Sequence, residues 1–166
     1  MTLPERAERA FAAHEAFERD GHEFELTTTA FDGRVTASET DDWALRYTLT
    51  VRAPMLSTAA TEPVGPAVED GWFDTYALRL EDAPGAIRDS VALDHLDVFE
   101  KDGDAVAVFE FEWGNADRAP AIAKALAEYA EGTYMEGIVP GYSYTEPVAS
   151  MLSQASQGEG RGGTPL

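Results

Sequence analysis

Three histidines and a large surplus of carboxylates are the side chains of this 166-residue chain whose types suit acid–base or metal chemistry. His14 and Glu18 stand four residues apart, which on a helix places them one turn apart on the same face. Imidazole and carboxylate at that spacing can supply two ligands to zinc. No spacing in the chain names a third ligand, and a partly buried histidine held by Glu18 accounts for the pair with fewer assumptions. His95 lies among Asp94 and Asp97, a neighbourhood that general acid–base catalysis could use; a charged strand edge is the simpler account. Glu110 and Glu112 are two apart and share a strand face at about 7 Å. They alternate with Phe109, Phe111 and Trp113, so a solvated polar row is expected there. No catalytic residue, metal ligand or cofactor is assigned from these groups.

The C-terminal segment spells G-x-G-x-x-G with Gly158, Gly160 and Gly163. A dinucleotide site needs those glycines between a strand and a helix N-terminus, and only Thr164-Pro165-Leu166 follow. The single Arg161-Gly162-Gly163 lacks the repetition that RNA-binding segments use. Aromatic residues carry more promise. Trp72, Phe73 and Tyr76 cluster before Pro84, and Tyr134, Tyr142 and Tyr144 cluster around Pro140-Gly141. Packing over a sheet is one account. A groove is the other, since tyrosines on a Gly/Pro loop combine an apolar body with a polar tip. These six are the ligand-binding candidates.

Composition sets the frame for them. Against 31 acids stand 12 bases, a formal net charge of −19, where a small soluble domain is usually comfortable at about 2–8. The excess is spread along the chain: residues 1–42 carry 11 acids and 4 bases, and residues 127–166 carry 5 and 1. Ten of the bases are arginine, which grips carboxylates bidentately and is weakly hydrated. At about 1 M salt the Debye length falls to about 3 Å and such self-repulsion is screened. The composition is that of a halophilic cytosolic protein. Nucleic acid is not an expected partner, because phosphate binding needs clustered cations. There is no cysteine, hence no disulfide framework. The N-terminus has no apolar signal region, and no run reaches the roughly 20 apolar residues of a membrane span. A cytoplasmic location is expected, without membrane contact.

The elements that would position these residues follow from periodicity. Leu3, Ala7, Ala10, Phe11, His14 and Phe17 recur at helical spacing between Pro4 and Gly21, with Thr2 as a candidate cap. Phe24, Leu26 and Thr28 alternate, and Asp32-Gly33 offers a tight hairpin turn to a strand over 34–38. Trp43, Leu45, Tyr47, Leu49 and Val51 alternate with polar residues and predict the clearest strand. Residues 53–66 read as a connection and 68–80 as a helix, with the strand alternative open. A second hairpin spans 91–99 and 104–113 around Lys101-Asp102-Gly103. Asp117 is expected to cap a long helix with Ile122, Ala123, Leu126, Tyr129 and Ala130 on one side. A loop over 137–144 and a short helix over 146–155 follow.

The expected fold is α+β: a mostly antiparallel five-stranded sheet with helices packed on one face, in the order α-β-β-β-α-β-β-α. It forms a single domain over 1–156, with a flexible Gly-rich tail at 157–166. Over residues 4–136 that order resembles the type III secretion chaperone-like fold. The chain also resembles an uncharacterised family of acidic haloarchaeal proteins, through Glu69-Asp70-Gly71-Trp72-Phe73, Glu136-Gly137-Ile138-Val139-Pro140-Gly141-Tyr142-Ser143-Tyr144 and Glu146-Pro147-Val148-Ala149-Ser150. That resemblance implies a halophilic host and no particular activity. The leading expectation is a non-enzymatic, chaperone-like module that binds a protein or peptide. A small carboxylate- or histidine-dependent enzyme is the competing class, and a homodimer subunit a third.

Overall fold

The computed structural model describes residues 3–162, with side chains through Ala155. Helix α1 spans Glu5–Ala13 and buries Ala7, Ala10 and Phe11, the three- and four-residue spacing of an inward stripe. It ends at His14, whose backbone is extended, and does not reach Gly21. Residues 17–20 instead form strand β1 (Phe17–Asp20), which turns through Gly21 at φ 65° into β2 (Glu23–Leu26). Phe17 packs edge-on against Phe11 with ring centroids 4.9 Å apart. A strand returning under the helix buries Phe17 as well as a longer helix would, so the apolar period alone could not separate them. This strand makes the sheet six-stranded, where five strands were expected.

The remaining strands are β3 (Asp32–Glu39), β4 (Leu45–Pro54), β5 (His95–Lys101) and β6 (Asp104–Trp113). Asp32 and Gly33 open β3, pairing with Arg52 and Val51, and are not the turn before it. Residues 27–31 make that connection. Trp43 falls outside β4 and is 72% exposed. The hairpin between β5 and β6 turns through Asp102 at φ 53° and Gly103 at φ 84°, the double positive φ of a primed turn. All pairings are antiparallel in the order β1-β2-β3-β4-β6-β5.

One face of the sheet carries Val35, Leu49 and Phe109 in one row and Tyr47 beside Phe111 in the next, all buried. The Tyr47 hydroxyl is pushed up to about 12 by that burial. Against this face pack α3 (Pro66–Leu80) and α4 (Ala119–Glu136). Helix α3 settles the 68–80 segment as helical, with Trp72, Tyr76 and Leu80 buried on successive turns. Helix α4 buries Ile122, Ala123, Leu126, Ala130 and Tyr134. It starts after a 3₁₀ turn in which the Asn115 side chain accepts the Asp117 N–H, so Asp117 is not its cap.

A short α2 (Leu56–Ala59) follows β4, and α5 (Val148–Gly162) closes the described chain. Helix α5 runs into the segment expected to be a tail, and residues 163–166 lie outside the described residues. The Thr2 cap lies outside them too. The other face of the sheet is polar. Arg34 there meets Asp20, Glu23, Glu25 and Asp32 within 3.6 Å, and Asp20, Glu23 and Asp32 raise its pKa. Arg46 pairs with Glu112 at 2.6 Å and Arg52 with Asp104 at 3.2 Å.

Candidate functional site: a one-walled trough at the sheet edge

The aromatic candidates divide into two groups. Trp72, Tyr76 and Tyr134 belong to the core: Trp72 stacks on Tyr76 at 5.8 Å, and both meet Tyr134 edge-on at 5.3 and 5.8 Å. The Tyr134 hydroxyl donates to the Pro54 carbonyl at 2.8 Å, and burial raises the pKa of Tyr76 and Tyr134. Buried in this way, these three present no surface to a partner. Tyr142 and Tyr144 are half-buried and meet edge-on at 6.4 Å. Tyr144 donates to the Val139 carbonyl.

Their loop is stitched to the segment after α2. Thr61 N–H reaches the Ser143 carbonyl at 2.8 Å, and Thr145 N–H reaches Ala59 at 2.8 Å. The Glu62 carboxylate accepts the Ser143 N–H at 2.5 Å. Tethers of this number leave the loop little freedom to reshape around a ligand.

Phe73 is different. It is half-buried and lies on a second stripe of α3. Asp70, Phe73, Asp74, Ala77 and Glu81 recur at spacings of three and four, which brings them to one side of the helix. That side faces the last strand, for Ala77 and Glu81 share a pocket of about 260 Å³ with Leu96 and Val98 of β5. A second pocket, of about 390 Å³, continues it past Glu81 and Leu96 to Pro84, Val91 and Leu93. Together they form a trough with Leu96 and Val98 as its floor and α3 as one wall.

The trough exists because β5 is the last strand of the sheet. The inner-face residues of the neighbouring β6, Ala105, Ala107, Phe109 and Phe111, are fully buried. Leu96 and Val98 remain half-buried because the sheet extends one strand past its helical cover. The trough's rim is acidic. Asp70, Asp74, Glu81, Asp94 and Glu100 are all exposed, and none has a salt-bridge partner among the described residues. Periodicity did not reveal this site, since Leu96 and Val98 read as ordinary inward strand residues. Their exposure is a matter of strand order.

The histidines and their neighbouring carboxylates do not converge on a site. Because α1 stops at Ala13, His14 and Glu18 are not one turn apart on a helix. His14 Nδ1 instead accepts the Ala16 N–H at 3.2 Å. His95 sits opposite Glu110 at the head of the trough beside Asp94 and Glu81. Among the described residues, no three His, Asp or Glu side chains group so as to hold a metal ion. Glu110 and Glu112 share the polar face as their spacing implies, and Glu112 is engaged by Arg46. Among the described residues, Glu131 is the one carboxylate whose pKa burial raises. It accepts the Ala30 and Phe31 N–H groups at 3.0 and 3.3 Å and so ties α4 to the connection before β3.

Among the described residues no helix is long and apolar enough to cross a membrane. Neither a curated protein nor a solved structure matches the chain. A family model does match, over residues 12–154. That span takes in all six strands, the trough and the tyrosine loop, and the chain belongs to this family, described as a family of unknown function (DUF5813).

Proposed function

We propose that this chain is a non-enzymatic binding module of a haloarchaeal cytosol, and that its trough holds an apolar segment of a partner protein carrying lysine or arginine. The observation behind this reading is the floor of Leu96 and Val98, left half-buried under a single helical wall. Apolar surface framed by polar residues and open to solvent is the usual mark of a contact site. Charge selects the occupant: a rim of five acids without salt-bridge partners among the described residues attracts basic side chains and repels acidic ones. Ala77 and Phe73 add apolar contact from the wall. The host is argued from acidity spread over the whole chain and from ten arginines against two lysines, which suit a salt-screened medium.

Fluorescence anisotropy with a labelled peptide alternating leucine and lysine, in molar potassium chloride, tests the trough. Saturable binding is expected, weakened about tenfold or more by Leu96→Glu, which puts a charge on the apolar floor at a cost above about 1.4 kcal/mol. Absence of saturable binding, or equal affinity in the variant, removes the proposed role.

A further inference from the structure

The trough lacks a second wall, and the outer edge of β5 carries a pattern that a second copy of this chain would complete. The tight turn at Asp102-Gly103 makes Lys101 and Asp104 the hydrogen-bonded closing pair of the hairpin. Alternation then turns the N–H and C=O groups of Leu96, Val98 and Glu100 outward, toward the free edge. On the polar face of the same strand stand Asp97, Phe99 and Lys101, at equal intervals. Phe99 is 36% exposed, one of four large apolar residues so placed among the described residues. Lys101 is one of two lysines in a chain that otherwise uses arginine.

We infer that two copies pair antiparallel through β5 about a twofold axis at Phe99, building one continuous sheet and closing the trough between two α3 helices. This deepens the proposed binding role and rests on it for the trough's use. In that register Phe99 faces Phe99 of the second copy, and Asp97 of each faces Lys101 of the other. These are the non-hydrogen-bonded pairs of the ladder, where side chains come closest. Val98 and Glu100 exchange the backbone hydrogen bonds. Other alignments are penalised: a parallel in-register pair sets Asp97 on Asp97 and Lys101 on Lys101. A twofold centred on Val98 leaves Lys101 facing His95 and Asp97 facing Phe99. Charges on an edge strand ordinarily block pairing; this arrangement favours the twofold at Phe99 over those two alternatives. The trough then becomes a channel whose floor carries Leu96 and Val98 of both copies, with Glu100 of each opposite Val98 of the other at the seam and an acidic rim along each α3.

Sedimentation velocity of the full chain in molar potassium chloride, over a concentration series, should show wild type moving to twice the monomer mass. Asp97→Lys and Lys101→Asp each set like charges opposite one another and should weaken association about tenfold, while the double exchange restores it. Circular dichroism confirms that each variant is folded, and these exposed positions should tolerate the change. A wild type that keeps single-chain mass throughout, or single exchanges that leave the dimer intact, overturns the pairing. Peptide uptake is read separately: a dimer that takes up no peptide upholds the pairing and removes the binding role. A chain that stays single yet takes it up does the reverse.

Discussion

The tyrosine loop over 137–145 and the trough along β5 are both surface regions beside α3 or its connections, yet they are built on opposite terms. The loop is rich in groups that could contact a ligand, and it uses them on itself: Tyr144 donates to Val139, Ser143 is held by Thr61 and Glu62, and Thr145 by Ala59. The trough turns its charged groups to the rim and leaves its apolar floor uncovered because the sheet outruns its helices. Residue type marks the first region, whereas unfinished packing marks the second. Satisfied hydrogen bonds make a segment rigid, and uncovered apolar surface makes a segment adhesive.

Truncations should separate the two regions most strongly. Tyr134→Ala, beneath the closed side, empties a fully buried ring site and should cost about 3–5 kcal/mol in denaturant unfolding. Leu96→Ala should cost well below the roughly 2–5 kcal/mol of a buried leucine, since its side chain already meets solvent. Equal losses would mean that the trough is core. Finer substitutions test the same core: Tyr134→Phe loses the bond to Pro54 and should cost about 1 kcal/mol. Tyr76→Phe should be neutral or stabilising, because its buried hydroxyl has no partner among the described residues.

Salt should distinguish the regions next. Reducing potassium chloride from molar to about 0.1 M lengthens the Debye length to about 10 Å, which lets the unpaired acids of the trough rim repel one another. The melting temperature should fall, and amide exchange in β5 should quicken before that of the Thr61–Ser143 and Thr145–Ala59 tethers. A melting temperature equal in both media would remove the halophilic assignment. The smallest effect concerns Glu131. Burial raises its folded pKa above the ordinary glutamate value, against the opposing Phe31 and Ala30 N–H groups. Its contribution to stability is therefore fully present below the unfolded pKa of about 4.3 and is lost as pH rises through the folded one. Glu131→Gln should abolish that component, read as the change with pH in the stability difference from wild type. A difference that does not vary with pH would mean the carboxylate is not strained by burial.

Much of the fold was legible in the residues. The alternation of Leu45, Tyr47, Leu49 and Val51 specified β4, Asp102-Gly103 specified the last hairpin, and the stripe from Ile122 to Ala130 specified α4. Phe17 was not legible, because a helix and a returning strand bury it against Phe11 equally well. Asp32-Gly33 was misleading for a related reason: local turn propensity yielded to pairing with Arg52 and Val51. Of the six aromatic candidates, Trp72, Tyr76 and Tyr134 fill the core. Aromatic type reports burial as readily as binding, and the sequence holds no signal to divide them. Only Phe73 lies on the side of α3 that faces the trough.

By itself, then, the sequence determined the charge balance and the α+β class of this protein. Net charge, its spread and the preference for arginine depend on composition, and the alternation of periods two and three to four depends on local geometry; neither needs a third dimension. Tertiary structure decided which strand ends the sheet and how far the helices cover it. Strand order depends on contacts between residues far apart in the chain, such as Leu45 with Trp113 and Leu96 with Phe109. Those contacts leave Leu96 and Val98 at an open edge, and that position, rather than their chemistry, makes them a candidate site.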